Sequence, residues 1–338
     1  MVIPIGMKQI LNELIEHRSL DKETARQVLM DLAAGKYNPS QMSAFMTVYM
    51  MRAITLAELQ GFRDAMLELC LPVKVDRPVM DVCGTGGDGK NTFNISTLSS
   101  FVVAAAGQPV AKHGNYGVSS VSGSSNVLEY FGYKFTNKKE VLDRSLDEAN
   151  IFFMHAPLFH PAMKNMAPIR KELGVKTFFN MLGPMVNPAF PPLQLVGVFN
   201  LELARLYGYL YQQTDKKFMV LHDVQGYDEV SLTGPVKVFA DTGERLYTPA
   251  DLQMPEISSQ DILGGSTVEE SARLFLTILE GHGTTAQQQV VVANAALALF
   301  CADRKSGWSA AVNKATESLQ SGRALGTFKK LIAISQES

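Results

Sequence analysis

The stretch Asp81-Val82-Cys83-Gly84-Thr85-Gly86-Gly87-Asp88-Gly89 constrains this chain more than any other. The apolar run 79–83 reads as a buried strand, and the apolar residues 95–107 read as a helix. Between them Gly84, Gly86, Gly87 and Gly89 free the backbone to turn N–H groups toward an anion. Asp88, Thr92, Asn94 and Ser96 hang oxygen and nitrogen ligands around the same spot. A strand, a glycine loop and a helix in that order predict an α/β fold with a phosphate site at the loop.

Two familiar loops fit the string without fitting its surroundings. Gly84-x-Gly86-x-x-Gly89 matches the dinucleotide fingerprint, which needs an acidic residue closing the second strand. Lys112-His113 stand there instead. A P-loop needs Ser or Thr after its lysine, and Asn91 follows Lys90. The next strand-to-helix connection, 112–126, is again rich in glycine and serine. In a parallel sheet, successive loops of this kind open at one edge. The two loops therefore form one crevice with two anion-holding walls, and Lys112 adds a point charge. A ligand with phosphates at both ends suits it.

Before the glycine loop, residues 7–70 read as helices only. Met7, Ile10, Leu11, Leu14 and Ile15 mark one apolar face, and Thr55-Leu56-Ala57-Glu58 is a capping box. After Leu71-Pro72 the pattern alternates: strand 79–83, helix 95–106, a strand near 109–112, helix 124–131, strand 151–155, helix 161–172, then strands 194–198 and 218–222 around helix 201–213. Residues 230–248 read as irregular or antiparallel strands, and the chain from Glu269 onward as helices. The expectation is a small helical domain, 1–72 with part of 161–185, and a larger α/β domain, 76–338, with a mostly parallel sheet between helices.

The 338 residues leave room for two domains. A formal charge of −2 offers no basic excess for nucleic acid. Cys70, Cys83 and Cys301 are scattered, as in a reducing cytoplasm. Neither a signal peptide nor an apolar run of membrane-spanning length is read.

Beyond the two loops, three segments carry a resemblance: 155–164 (HAPLFHPAMK), 167–174 (APIRKELG) and 180–189 (NMLGPMVNPA), joined by the turn Gly226-Tyr227-Asp228-Glu229. Together they resemble the anthranilate phosphoribosyltransferase family. The resemblance implies a magnesium-dependent transfer of phosphoribose from 5-phosphoribosyl 1-diphosphate to anthranilate, in tryptophan biosynthesis. It implies that Gly84, Gly87, Asp88, Thr92, Asn94, Ser96, Lys112 and Ser124 hold the sugar diphosphate. It implies that Gly84, Asn115, His160, Arg170 and Gly183 line the anthranilate site, and that His113 sits between the substrates as the one catalytic candidate. Two magnesium ions are implied, with Ser96, Asp228 and Glu229 as ligands. Residues support parts of this directly: an acidic pair after a strand suits a hard cation, and a planar guanidinium such as Arg170 suits a carboxylate. Surplus apolar faces in 7–70 predict a homodimer through the helical domain.

Tyr116 and Asn126 stand where the family usually has Arg and Asp, and His155 has no assigned role. The rival expectations are a pyrimidine-nucleoside phosphorylase and a non-catalytic nucleic-acid-binding relative of the same fold.

Overall fold

The computed structural model describes residues 6–117 and 121–337, so Val118, Ser119 and Ser120 of the second loop lie outside the described residues. The chain divides into two compact units: residues 1–72 with 159–188, and residues 73–158 with 189–338.

The smaller unit begins with four helices, α1 (Met7–Ile15), α2 (Lys22–Ala33), α3 (Pro39–Met51) and α4 (Leu56–Leu69). Helix α3 starts at an Asn38/Gln41 capping box and α4 at the expected Thr55/Glu58 box. In α1, Met7, Ile10 and Leu14 are buried, but Ile15 faces out at 64% exposed, which corrects the apolar face read for it. Aromatic rings of Phe45, Tyr49, Phe62 and Phe178 form the core, with Phe62 and Phe178 stacked at 4.6 Å.

The larger unit is built on a seven-stranded sheet: β1 (Met80–Gly84), β2 (Val110–Gly114), β3 (Ile151–His155), β4 (Leu193–Gly197), β5 (Lys217–Asp223), β6 (Val236–Ala240) and β7 (Gly243–Tyr247). Its order is β3-β2-β1-β4-β5-β6-β7. The first five strands run parallel, and β6 and β7 are added antiparallel. Strands β1 and β4 pair in register from Met80 with Leu193 to Gly84 with Gly197. Side chains of β5 alternate in the usual period of two: Phe218 meets Tyr211 on one face, while Met219 and Leu221 join the main core on the other.

The connecting helices are α5 (Ile95–Ala105), α6 (Ser124–Tyr130), α7 (Lys139–Ala149), α8 (Ala156–Phe159), α9 (Ala167–Leu173), α10 (Leu201–Tyr211), α11 (Val268–Leu279), α12 (Thr285–Ala302), α13 (Trp308–Gln320) and α14 (Arg323–Gln336). The expected single helix over 161–172 is instead a 3-10 turn, Pro161–Asn165, followed by α9. Pro168 lacks an amide hydrogen and restricts Ala167, so one continuous helix cannot form there. Helix α12 corrects the membrane reading in part. By length and composition it could span a bilayer, but it is mostly buried and packs on α5, α13, β4 and β5 as a core helix.

Candidate active site

The glycine loop leaves the end of β1. Gly86, Gly87 and Gly89 hold φ of +64°, +85° and +72°, the left-handed region that side chains resist. Beyond it, Thr92 bridges Leu263, and the Gly264 amide donates to the Asn91 carbonyl at 2.7 Å. Asn94, which precedes α5, donates from Nδ2 to the Ser122 carbonyl at 2.9 Å, tying the first loop to the second.

The turn after β5 docks on this loop. Gly86 N–H donates to Asp228 Oδ2 at 2.6 Å, and Ser96 N–H donates to Glu229 Oε1 at 2.8 Å. The Asp228 amide donates to Asp88 Oδ2 at 3.4 Å. Ser96, Asp228 and Glu229 are thereby brought together. Two glycines make room for this. A Cβ on Gly84 would lie 2.7 Å from Asp228 Oδ2, and one on Gly197 only 1.3 Å from the Asp228 carbonyl oxygen. Gly197 went unnoticed in the sequence; its signal is a glycine ending a buried strand beside Gly84.

Burial raises the proton affinity of Asp228 well above the carboxylate norm, and the charges of Glu229 and Asp88 add to it. Burial also raises Glu229, against the opposing pull of the Ser96 amide and the Lys112 charge. Two crowded carboxylates and a serine form an all-oxygen set whose repulsion a hard divalent cation would relieve. Among the described residues no three His, Cys, Asp or Glu side chains converge as a complete metal cage. Magnesium, a hard cation that keeps waters and substrate oxygens in its shell, can be held by as few protein oxygens as these.

In the second loop, Asn126 Oδ1 accepts from the amides of Gly117 and Gly123, both at 2.9 Å, so it closes the loop across its ends. Ser125 N–H and Ser124 Oγ both donate to the Asn115 carbonyl, at 3.2 and 3.4 Å. Lys112 is 2% exposed and donates from Nζ to the Val82 carbonyl at 2.7 Å; burial lowers its pKa, with Asp81 opposing. The His113 amide donates to Asp81 Oδ1 at 3.4 Å. His155, at the end of β3, stacks on Phe135 at 4.3 Å, meets the edge of Tyr116 at 4.9 Å and bonds Ser125 Oγ through Nδ1 at 2.9 Å.

The smaller unit carries His160, Arg170 and Gly183. His160 Nε2 donates to the Val186 carbonyl at 3.0 Å, and burial lowers the ring's pKa to about 4. Arg170 is mostly buried on α9; its guanidinium lies over Phe179, 5.1 Å from the ring centre, and reaches Asn180 Oδ1 at 3.5 Å. Burial alone lowers its pKa, and among the described residues it has no carboxylate partner. Gly183 opens a 3-10 turn, Gly183–Met185.

Comparison with known proteins gives one consistent result. The family model described as glycosyl transferase family, a/b domain, matches residues 76–325, and that described as glycosyl transferase family, helical bundle domain, matches residues 8–70. The anthranilate phosphoribosyltransferase of Christiangramia forsetii is 56% identical over 98% of this chain and 100% of its own length. That of Flavobacterium psychrophilum is 57% identical over 97% of this chain and 100% of its own. The crystal structure of the Thermus thermophilus enzyme of that name has a TM-score of 0.89 at 32% identity, covering 96% of this chain and 99% of that one. The Saccharomyces cerevisiae enzyme, solved in complex with PRPP and Mg, has a TM-score of 0.88; at 23% identity, over 98% of each chain, it speaks for the fold alone.

Proposed function

We propose a division of labour among the residues of this chain, which belongs to the anthranilate phosphoribosyltransferase family. The chain is a pentosyltransferase: it joins the amine of anthranilate to C1 of 5-phosphoribosyl 1-diphosphate and releases pyrophosphate. The phosphorylase and nucleic-acid-binding alternatives are thereby set aside.

In our reading Gly84, Gly87, Asp88, Thr92, Asn94, Ser96, Lys112 and Ser124 hold the sugar diphosphate. Ser96, Asp228 and Glu229 hold magnesium, as two ions. When bound, magnesium supplies positive charge to the leaving diphosphate. The observation that carries this reading is the docking of Asp228 and Glu229 on the amides of Gly86 and Ser96.

During transfer the C1–O bond to the diphosphate breaks, the C1–N bond forms, and the amine gives up a proton. An aromatic amine is uncharged at neutral pH, so no dedicated strong base is required. His113 is the catalytic candidate as a positioning group between the two substrates. Arg170 binds the carboxylate of anthranilate through a charged, two-pronged contact, with Gly84, Asn115, His160 and Gly183 around the ring. Desolvation of Arg170 supports that role, since a buried cation without a carboxylate gains most from one.

We read the two compact units as the helical and diphosphate-binding domains. Ile15 and Met51, outward-facing on the smaller unit, support a homodimer through it, and sedimentation as a monomer at micromolar concentration would refute that. Three buried free cysteines fit a cytoplasmic setting. The deciding assay follows anthranilate fluorescence. It falls when sugar diphosphate and magnesium are added together, and a steady signal would overturn the proposal.

A further inference from the structure

From Val290 to its end at Ala302, helix α12 is apolar with one polar interruption. Asn294 is 2% exposed and sits among Val290, Val291, Ala293 and Ala295, all buried. A buried amide side chain destabilises a core unless its donors and acceptor are satisfied. Here they are satisfied by one residue outside the helix. Asn294 Oδ1 accepts from Val230 N–H at 3.0 Å, and Nδ2 donates to the Val230 carbonyl at 2.9 Å. A further bond from Nδ2 to the Val290 carbonyl, 2.9 Å, fixes the amide against its own helix.

Val230 directly follows Asp228 and Glu229, in a segment that lies outside any strand. The same turn is gripped at its start. Asp223, buried at the end of β5, accepts from Gln225 N–H at 2.9 Å and from Ser231 N–H and Oγ at 3.2 and 2.7 Å. Residues 223–231 thus close on themselves through Asp223, and Asn294 ties them to the core helix by paired side-chain bonds to the backbone.

We infer that Asn294 is a positioning residue: by holding both backbone groups of Val230 it sets where Asp228 and Glu229 present their carboxylates to the glycine loop, and so sets the affinity for the magnesium–diphosphate group. This rests on the reading of the acidic turn given above. Outer partners of metal-ligating groups change metal affinity by roughly 10- to 100-fold when lost.

The test is Asn294→Asp, which keeps the shape and the oxygen facing Val230 N–H but turns an acceptor toward two carbonyls. Calorimetric binding of phosphoribosyl diphosphate with magnesium, without anthranilate, is expected to weaken by about tenfold or more. The KM for anthranilate is expected to change by less than about twofold. Ser318→Ala is the control. It removes a different fully buried hydrogen bond, to the Val102 carbonyl at 2.8 Å, and is expected to lower thermal stability while leaving diphosphate binding alone. Combined with Glu229→Ala, Asn294→Asp is expected to weaken binding by less than it does alone, because part of its effect runs through that carboxylate and the rest through Asp228.

Normal binding by Asn294→Asp, with binding lost in Glu229→Ala, overturns the inference and leaves the acidic-turn reading standing. Normal binding by Glu229→Ala overturns that reading itself. Should Asn294→Asp fail to fold, Asn294→Ser, which keeps one hydroxyl for Val230, carries the same comparison.

Discussion

The larger unit's acidic turn and the smaller unit's Arg170 carry opposite charges and are held in opposite ways. Asp228 and Glu229 are each fixed by a backbone amide of the glycine loop, the backbone behind them by Asn294 and Asp223, and the space in front by Gly84 and Gly197. Arg170 has a ring face and one long hydrogen bond to Asn180. The acidic turn is organised before any ligand arrives, so little ordering is left to oppose binding. Among the described residues the largely desolvated guanidinium has no partner of opposite charge, which destabilises the unit that holds it. One region is built for placement, the other for a charge still to come.

The sharpest way to break this comparison is Gly197→Ala. The new Cβ would lie 1.3 Å from the Asp228 carbonyl oxygen, a backbone atom, so the turn must move. A displacement of that size at a reacting centre costs on the order of 100-fold in rate. We expect at least that loss in transferase turnover, together with a lowered melting temperature. Turnover within a few-fold of the parent would mean that the turn is not fixed by its neighbours.

Arg170→Ala tests the other side. Losing a charged hydrogen bond to a carboxylate costs about 1.5–3 kcal/mol, or roughly 10- to 100-fold in affinity. The KM for anthranilate should rise by that factor, while the KM for the sugar diphosphate stays within about twofold. Thermal stability should hold or rise, because an unpaired buried cation is gone. Equal rises in both KM values would sink the carboxylate assignment.

The contrast also marks what could be read from the chain alone. The sheet strands and the glycine loop were legible because apolar runs end at Gly and Pro, and the α/β class with a helical N-terminal bundle is borne out. Helix α7 was missed although Leu142, Ser145, Leu146 and Ala149 are buried at the i, i+3, i+4, i+7 spacing of a helix; in KEVLDRSLDEA that period is carried by few apolar residues among many charges. The docking of Glu229 on Ser96 joins residues 133 apart and follows from strand order, which no local pattern encodes. Asn294 did leave a trace, the one polar residue in the apolar run 290–302, but its partner Val230 is 64 residues away.

Acid should find the smaller unit through His160. Its folded pKa of about 4 lies below the ordinary 6.5, so the unfolded chain binds the proton more readily. Its contribution to stability is therefore complete above pH 6.5 and is lost as pH falls toward 4. Between about pH 7 and pH 5 this removes about 2 kcal/mol. His160→Gln, which keeps a donor for the Val186 carbonyl, should flatten the pH dependence of denaturant unfolding by that amount. Parallel curves for the two proteins would show that His160 does not titrate as described.

The smallest effect should come from Tyr116, where the family usually has Arg. Its hydroxyl donates to Glu129 at 3.0 Å and its ring edge meets His155, so the side chain is committed to bracing the second loop. The hydrogen bond is solvent-exposed and contributes at most about 1 kcal/mol. Tyr116→Phe keeps the ring contact with His155, so melting temperature should fall by a few degrees at most and the KM for sugar diphosphate should stay within about twofold. Tyr116→Arg sharpens the point. Glu129 stands ready to pair with the new guanidinium, so a gain in sugar-diphosphate affinity is not expected. A marked gain would mean that the position faces the ligand, and that the second loop, unlike the acidic turn, still has a charge to receive.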